Sequence, residues 1–242
     1  MIENLQEADI AHLDETPWYE KGNFIWLWVA ISQFTAVYHI GTRKKEELLK
    51  LITAAFIGWL ISDGYGAYRD REKRQRCLAH LIRKAVGLTG AVDEKAQKMG
   101  AWFLREMRGL IKTMNENGED CKKKCSPMLA RLKRVCNLGS KSDHPKLRAL
   151  AREILNDWDA VVAFIKNPGF PATNNEAERA LRHAVISRRI SFGTRNSEGS
   201  RAYAALLSVI ETCMRRNQDP WDYIAQTVTL GRKGIVPKPI PL

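Results

Sequence analysis

The sequence holds no apolar run long enough to cross a bilayer. The longest, Phe24 to Ile31 and Thr53 to Ile61, fall well short of the roughly 20 residues a spanning helix requires. Cysteine is sparse: Cys77, Cys121, Cys125, Cys136 and Cys213 are the five in 242 residues, an odd number. The opening MIENLQEADI is acidic and polar, where a secretory signal would be basic and then apolar. Reduced thiols and no export are therefore expected, and a disulfide-stapled scaffold is excluded. With 45% hydrophobic positions and no collagen-like repeat, the chain is neither a disordered tail nor fibrous. Acidic side chains are also in deficit, 27 Asp and Glu against 39 Lys and Arg, a formal charge of +12. A chain that basic usually meets a polyanion, either nucleic acid or an anionic membrane surface.

What is present suffices for one large domain or two small ones. Asp9 to Thr16 alternates, with Ile10, His12 and Asp14 on one face and Ala11 and Leu13 on the other. Phe24 to Ile31 reads as a strand buried on both faces, and Phe34 to Ile40 follows after Ser32 and Gln33 as its hairpin partner. A helix over Lys44 to Phe56, a short buried strand over Trp59 to Asp63, a strand through Arg76 to His80 and a helix from Leu81 complete a β-β-β-α-β-β-α order. That order predicts an α/β fold with a mixed sheet and helices on its faces.

From Asp93 to Lys166 the period is helical, with weak points at Asn117 to Lys124 and Gly139 to His144 that read as loops. After the Pro168-Gly169-Phe170-Pro171 turn, Thr173 or Asn174 should cap a helix whose apolar face is Ala177, Ala180, Leu181 and Ala184. Ser191 to Ser200 reads as a polar loop, Ser200 to Arg216 as a helix, and the Pro-rich end from Val236 as frayed.

Three carboxylates stand apart from the solvated charged stretches. Asp14 ends a strand-like segment before a turn, Asp63 ends a buried strand before Gly64, and Glu178 lies near a helix start beside Ala177. A carboxylate at the mouth of a hydrophobic strand is costly unless a cation or hydrogen bonds offset it. Three of them converging would suit Mg²⁺ or Mn²⁺ rather than zinc, and two such ions drive phosphodiester chemistry. Each Asp taken alone is equally a turn cap, because convergence is not visible in a sequence.

The strings HLDET (His12 to Thr16), SDGYGAY (Ser62 to Tyr68), CLAH (Cys77 to His80) and TNNEAERALR (Thr173 to Arg182) resemble a DDE transposase of the insertion-sequence-66 family. The likeness continues over Ser187 to Ile224, including the S-x-I-E-T string of Ser208 to Thr212, but is not seen between Val92 and Asn167. The resemblance implies an RNase H-like mixed sheet flanked by helices and interrupted by an all-helical insertion. Residues 1–91 and 168–230 would form the catalytic domain, 92–167 the insertion and 231–242 a tail.

It also implies that Asp14, Asp63 and Glu178 are the catalytic and metal-binding residues, holding two Mg²⁺ (or Mn²⁺) ions for DNA end cleavage and strand transfer. Glu176 is the rival. Residues two apart on a helix point about 200° apart, so only one faces the site, and in the family pattern Glu178 matches the carboxylate. Double-stranded DNA (transposon ends and target) is the implied partner, with a homo-oligomer on that DNA, in a bacterial cytoplasm at the nucleoid. Relatives carry a DNA-binding and oligomerising region before the first catalytic Asp. Only 13 residues precede Asp14, so a catalytic core lacking that front region is expected. The alternatives are an inactive or truncated DNA-binding remnant and a stand-alone RNase H-like nuclease.

Arg179, Arg182, Arg188, Arg189 and Arg195, on or just beyond the Glu178 helix, are the candidate DNA-backbone contacts. Arg43, Lys44 and Lys45 crowd a helix N-terminus, where the dipole disfavours cations and an external anion would relieve them. Trp18 and Tyr19 read as a half-buried rim, with base stacking as the functional alternative. Cys77 and His80 have C-x-x-H spacing, but no second pair completes a zinc site, so packing is the expected role. Cys121, Cys125, Cys136 and His144 read more simply as part of a solvated stretch than as a Cys₃His site.

Overall fold

The computed structural model describes residues 1–117 and 121–241. Five strands, β1 (Ile10–Glu20), β2 (Asn23–Ile31), β3 (Ala36–Gly41), β4 (Trp59–Ser62) and β5 (Arg74–Arg76), form one sheet in the order β3-β2-β1-β4-β5. With helices around it, this is the RNase H-like mixed sheet expected from the sequence. β1 pairs antiparallel with β2 from His12 opposite Ile31 to Glu20 opposite Asn23, and β2 with β3 from Ile31 opposite Ala36.

Asp14 is therefore mid-strand, not at a strand end. β1 continues through Pro17, whose fixed φ suits an extended chain, and turns only at Lys21 and Gly22, which take left-handed φ of 50° and 78°. The β2–β3 connection is also longer than expected. Ser32 donates its backbone N–H to the Thr35 carbonyl at 2.8 Å, and β3 starts at Ala36.

Contacts divide the chain into two compact units, one of residues 1–60, 65–73 and 175–242, the other of 61–64 and 74–174. In the first, α1 (Ile2–Gln6) and α2 (Lys45–Leu51) cover one sheet face, where Leu5, Leu48, Leu51, Ile52 and Phe56 meet Ala11, Leu13, Trp28 and Ala30. A helix to Phe56 was expected, but α2 stops at Leu51 because Ile52 is extended, with φ −119° and ψ 99°.

The second unit is helical around its short strand segments: α3 (Leu78–Thr89), α4 (Glu94–Asn117), α5 (Cys121–Gly139), α6 (Pro145–Asn156), α7 (Trp158–Val161) and α8 (Ala163–Lys166). One apolar cluster runs from Leu78 to Ile165 through Phe103, Met107, Leu132, Leu147 and Phe164. Three expectations are corrected in this unit. α3 starts at Leu78, not Leu81, with Cys77 as its N-cap. Lys122 to Lys124 belong to the first turns of α5, which continues through Pro127; the rest of the loop expected at Asn117 to Lys124 includes 118–120, outside the described residues. The helix expected from Pro145 to Ile165 is broken into three.

The chain then returns to the first unit with α9 (Asn175–Ser191), α10 (Ser197–Arg215) and α11 (Pro220–Arg232). Its Pro-rich end is tied down rather than frayed. Arg216 donates to the Ile240 carbonyl, the Tyr223 hydroxyl donates to the Lys238 carbonyl at 3.0 Å, and Ile240 is buried. No helix among the described residues is long and apolar enough to cross a membrane.

Candidate active site and nucleic-acid interface

Period-2 alternation gives β1 two working faces. Ala11 and Leu13 point into the apolar cluster beneath α2. The opposite face carries His12, Asp14, Thr16 and Trp18, and α9 packs against it. Trp18 is clustered with Ala177, Ala180, Leu181 and Ala184. Thr16 receives a hydrogen bond from Arg188 at 3.2 Å, and Arg188 also donates to the Pro17 carbonyl. Asp14, two residues before these contacts on the same face, is half-buried, its Oδ1 accepting the Glu15 N–H at 2.9 Å. Neighbouring Glu15 faces away and is anchored by Arg43 at 2.8 Å and by the Tyr68 hydroxyl.

On α9 the buried alanines let the helix lie close to the sheet, which sets its rotation. Glu176 and Glu178 flank this packed face on opposite sides. Glu176 is committed: Arg215 pairs with it at 3.1 Å and Arg179 at 3.2 Å. Burial alone would raise its carboxyl, yet the Arg215 hydrogen bond and charge, with Arg179 and His12 behind them, hold it below the ordinary value. Glu176, Arg215 and His12 line a cavity of about 690 Å³ with Asp9, Ser32 and Phe34. Glu178 is half-buried on the other flank. At helical spacing it begins a row continued by Arg182, Val185 and Arg189.

Asp63 follows β4 and belongs to the helical unit, in which a second charged system lies. Arg74 forks onto Asp157, at 2.9 Å to Oδ2; Arg76 reaches Asp157 at 3.3 Å and also Glu153, which Lys84 joins. Burial opposes the charge on Asp157, but Arg74 first and Arg76 second hold its carboxyl below the usual range. The Arg76 guanidinium lies so close to Gly64 that a Cβ there would sit 1.9 Å from it. The glycine after Asp63 is thus fixed by an arginine twelve positions on. Cys77 Sγ accepts the Asn174 N–H at 3.1 Å, tying the start of α3 to the residue before α9.

Of the arginines singled out from the sequence, Arg182, Arg189 and Arg195 are exposed, and none has an ion pair among the described residues. Arg179 is shared with Glu176, and Arg188 is spent on β1. Arg43 binds Glu15 and stacks on Trp26 and Tyr65 at 4.0 and 4.3 Å, while Lys45 pairs with Asp70, so an external anion is not needed there. Trp18 is buried and stacked on Tyr203 at 4.8 Å, which leaves Tyr19 alone exposed at that position of the strand.

The solvated stretch expected around the cysteines is corrected to packing. Cys125 and Cys136 are buried in the helical core, burial pushes the Cys136 thiol up to about 12, and His144 Nδ1 accepts the Leu147 N–H as a helix cap. The side chain of Cys121 lies outside the described residues.

The S-x-I-E-T string has a role that pattern reading missed. β3 is an edge strand, and its outward backbone groups would be unsatisfied beside a helix. Ser208 Oγ accepts the Tyr38 N–H at 2.8 Å, and Thr212 Oγ1 accepts the Ala36 N–H and donates to the Ala36 carbonyl, both at 3.1 Å. Hydroxyls at i and i+4 match alternate strand residues, a spacing that could have signalled this function.

Residues 1–202 match the family model described as Transposase IS66 family. The uncharacterized protein y4qI of Sinorhizobium fredii (strain NBRC 101917 / NGR234) is 26% identical over 265 aligned residues, which cover 95% of this chain and 49% of that protein. Uncharacterized protein y4jD of the same strain is 29% identical over 197 residues, 72% of this chain and 38% of its own. The chain spans about half the length, or less, of these two relatives. With the segments that carry Asp14, Asp63 and Glu178 inside the matched span, the chain belongs to the IS66 transposase family.

Proposed function

We propose that the chain performs divalent-metal-dependent DNA end cleavage and strand transfer, with Asp14, Asp63 and Glu178 as its metal-binding carboxylates. The observation that carries this reading is the packing of α9 on the β1 face that carries Asp14. Glu176 is neutralised by Arg215 and Arg179, whereas Glu178 flanks the face packed on the β1 surface that carries Asp14. All three carboxylates are half-buried, and carboxylate oxygens are the hard ligands that Mg²⁺ or Mn²⁺ prefers. Two such ions, when bound, activate an attacking oxygen and stabilise the leaving one.

The chain's own residues do the rest. Arg188 fixes the C-terminal half of α9 against β1 through Thr16 and the Pro17 carbonyl. Arg182, Arg189 and Arg195 offer unpaired guanidinium forks to the DNA backbone. Water would hydrolyse the phosphodiester at the element end and free a 3′-hydroxyl, which would then attack a target phosphorus in line and displace the target strand's own 3′-oxygen, with no covalent protein–DNA intermediate. In this reading the helical block 92–167 is an insertion in the catalytic domain.

Asp63→Asn and Asp14→Asn test the assignment. Each should reduce Mg²⁺-dependent nicking and joining of labelled duplex ends by at least about a hundredfold, with duplex affinity held or raised. Undiminished nicking by either variant removes the carboxylate assignment.

A further inference from the structure

The strap between α9 and α10 holds an aromatic side chain out of the fold. Phe192 is 79% exposed, yet its φ is 57°, in the left-handed region that a bulky L residue rarely adopts. Nothing about burial explains this residue, and its backbone is strained.

The surrounding bonds enforce the position. The Phe192 N–H donates to the Arg188 carbonyl at 2.9 Å. Thr194 donates its N–H to the Tyr19 carbonyl at 2.9 Å and accepts the Lys21 N–H at 2.8 Å, which sews the strap to the β1–β2 turn. The Trp18 indole and Ser200 both bond the Thr194 hydroxyl. Gly193, with φ 96°, lies so near Tyr19 that a Cβ would stand 2.1 Å from its carbonyl oxygen. Strain kept by an over-determined surround is a mark of functional positions.

What surrounds Phe192 indicates the ligand. Exposed Ile186 and Ile190 precede it on α9, and exposed Tyr19 and Phe24, in edge-on contact at 5.7 Å, flank the turn to which the strap is sewn. Arg182, Arg189 and Arg195 bracket the strap in sequence and form no ion pair among the described residues. Aromatic faces set among unpaired guanidinium groups are the recognition chemistry of an unpaired nucleotide. Phe192 lies about 21 Å along the helix from Glu178, at 1.5 Å per residue. That is a span of a few nucleotides from Glu178.

We propose that Phe192 stacks on an unpaired base of a DNA end held along α9. This rests on the DNA-transposase reading and adds to it a substrate feature, an unpaired or splayed nucleotide beside the duplex.

The test uses the full chain and three probes without metal: a blunt duplex, the same duplex with a three-nucleotide tail, and a tailed duplex carrying 2-aminopurine in the tail. The wild type should prefer the tailed duplex and change the 2-aminopurine emission. Phe192→Ala should lose about tenfold on the tailed duplex and under twofold on the blunt one, and Phe192→Trp should keep the preference. Phe192→Gly relieves the backbone, so it should unfold at a higher temperature than the wild type while binding like Phe192→Ala.

Equal loss on both probes, or no loss on either, overturns the stacking assignment and leaves duplex binding standing. A change of oligomeric state in Phe192→Ala with unaltered DNA preference assigns the side chain to a protein contact and also overturns it. If the wild type binds no duplex even at low salt, the transposase reading itself falls, an outcome visible before any variant is made.

Discussion

Two groups of charges in the helical unit are turned inward. Arg74 and Arg76 are buried beside Asp157 and Glu153, and buried Glu106 is held by Arg105 and Arg131 at 2.9 Å each. The α/β unit does the opposite along α9, where Arg182 and Arg189 stand in solvent and Phe192 is propped outward. The first pattern stabilises by mutual neutralisation and offers a ligand nothing. The second leaves cations and an aromatic face unsatisfied, which an isolated fold does not require and a polyanion would use. An arginine count alone does not distinguish these two situations, since both units are rich in it.

The contrast can be broken most sharply at Asp157. Asp157→Ala leaves buried Arg74 without its carboxylate and Arg76 with Glu153 alone, and should cost about 3–5 kcal/mol in urea-induced unfolding. A loss under 1 kcal/mol would mean that the network is solvated and the inward pattern is false. Next comes the edge of the sheet in the α/β unit. Ser208→Ala and Thr212→Val each leave a β3 N–H without its acceptor and should cost about 1–3 kcal/mol. Thr212→Ser, which restores the hydroxyl, should recover most of that. If all three variants unfold like the wild type, the hydroxyls are not what closes the edge.

The smallest effect concerns pH. Asp157 and Glu176 both have depressed carboxyls in the folded chain. Their contributions are therefore present above the unfolded carboxyl range of about 4 and lost as pH falls through the lower folded values. Stability measured from pH 5 to pH 2 should drop less steeply in Asp157→Asn than in wild type. Glu176→Gln should flatten the curve less, because its carboxylate is 39% exposed and screened, against 6% for Asp157. Equal flattening by the two would contradict the difference in burial on which the comparison rests.

Much of this was legible beforehand. Apolar spacing at Ala177, Ala180, Leu181 and Ala184 gave the buried face of α9, and alternation through His12 and Asp14 gave the face of β1 that meets it, because both periods are properties of the local backbone. The ends of elements were less so. Pro17 looks like a stop but sits within β1, and the lysines at 122–124 look like loop but start α5, because pairing and packing outweigh weak propensities. The pairing of Arg74 with Asp157 joins residues 83 apart and leaves no periodic trace.

The order of strands and helices, the basic excess and the motif strings were set by the sequence itself, since each depends on neighbours within a few positions. That Arg215 neutralises Glu176, that Arg76 crowds Gly64 and that Phe192 stands in solvent on a left-handed backbone were decided by tertiary structure alone. Those answers depend on Arg215, Arg76 and the Tyr19 carbonyl, groups brought close only when distant parts of the chain pack and exclude water between them.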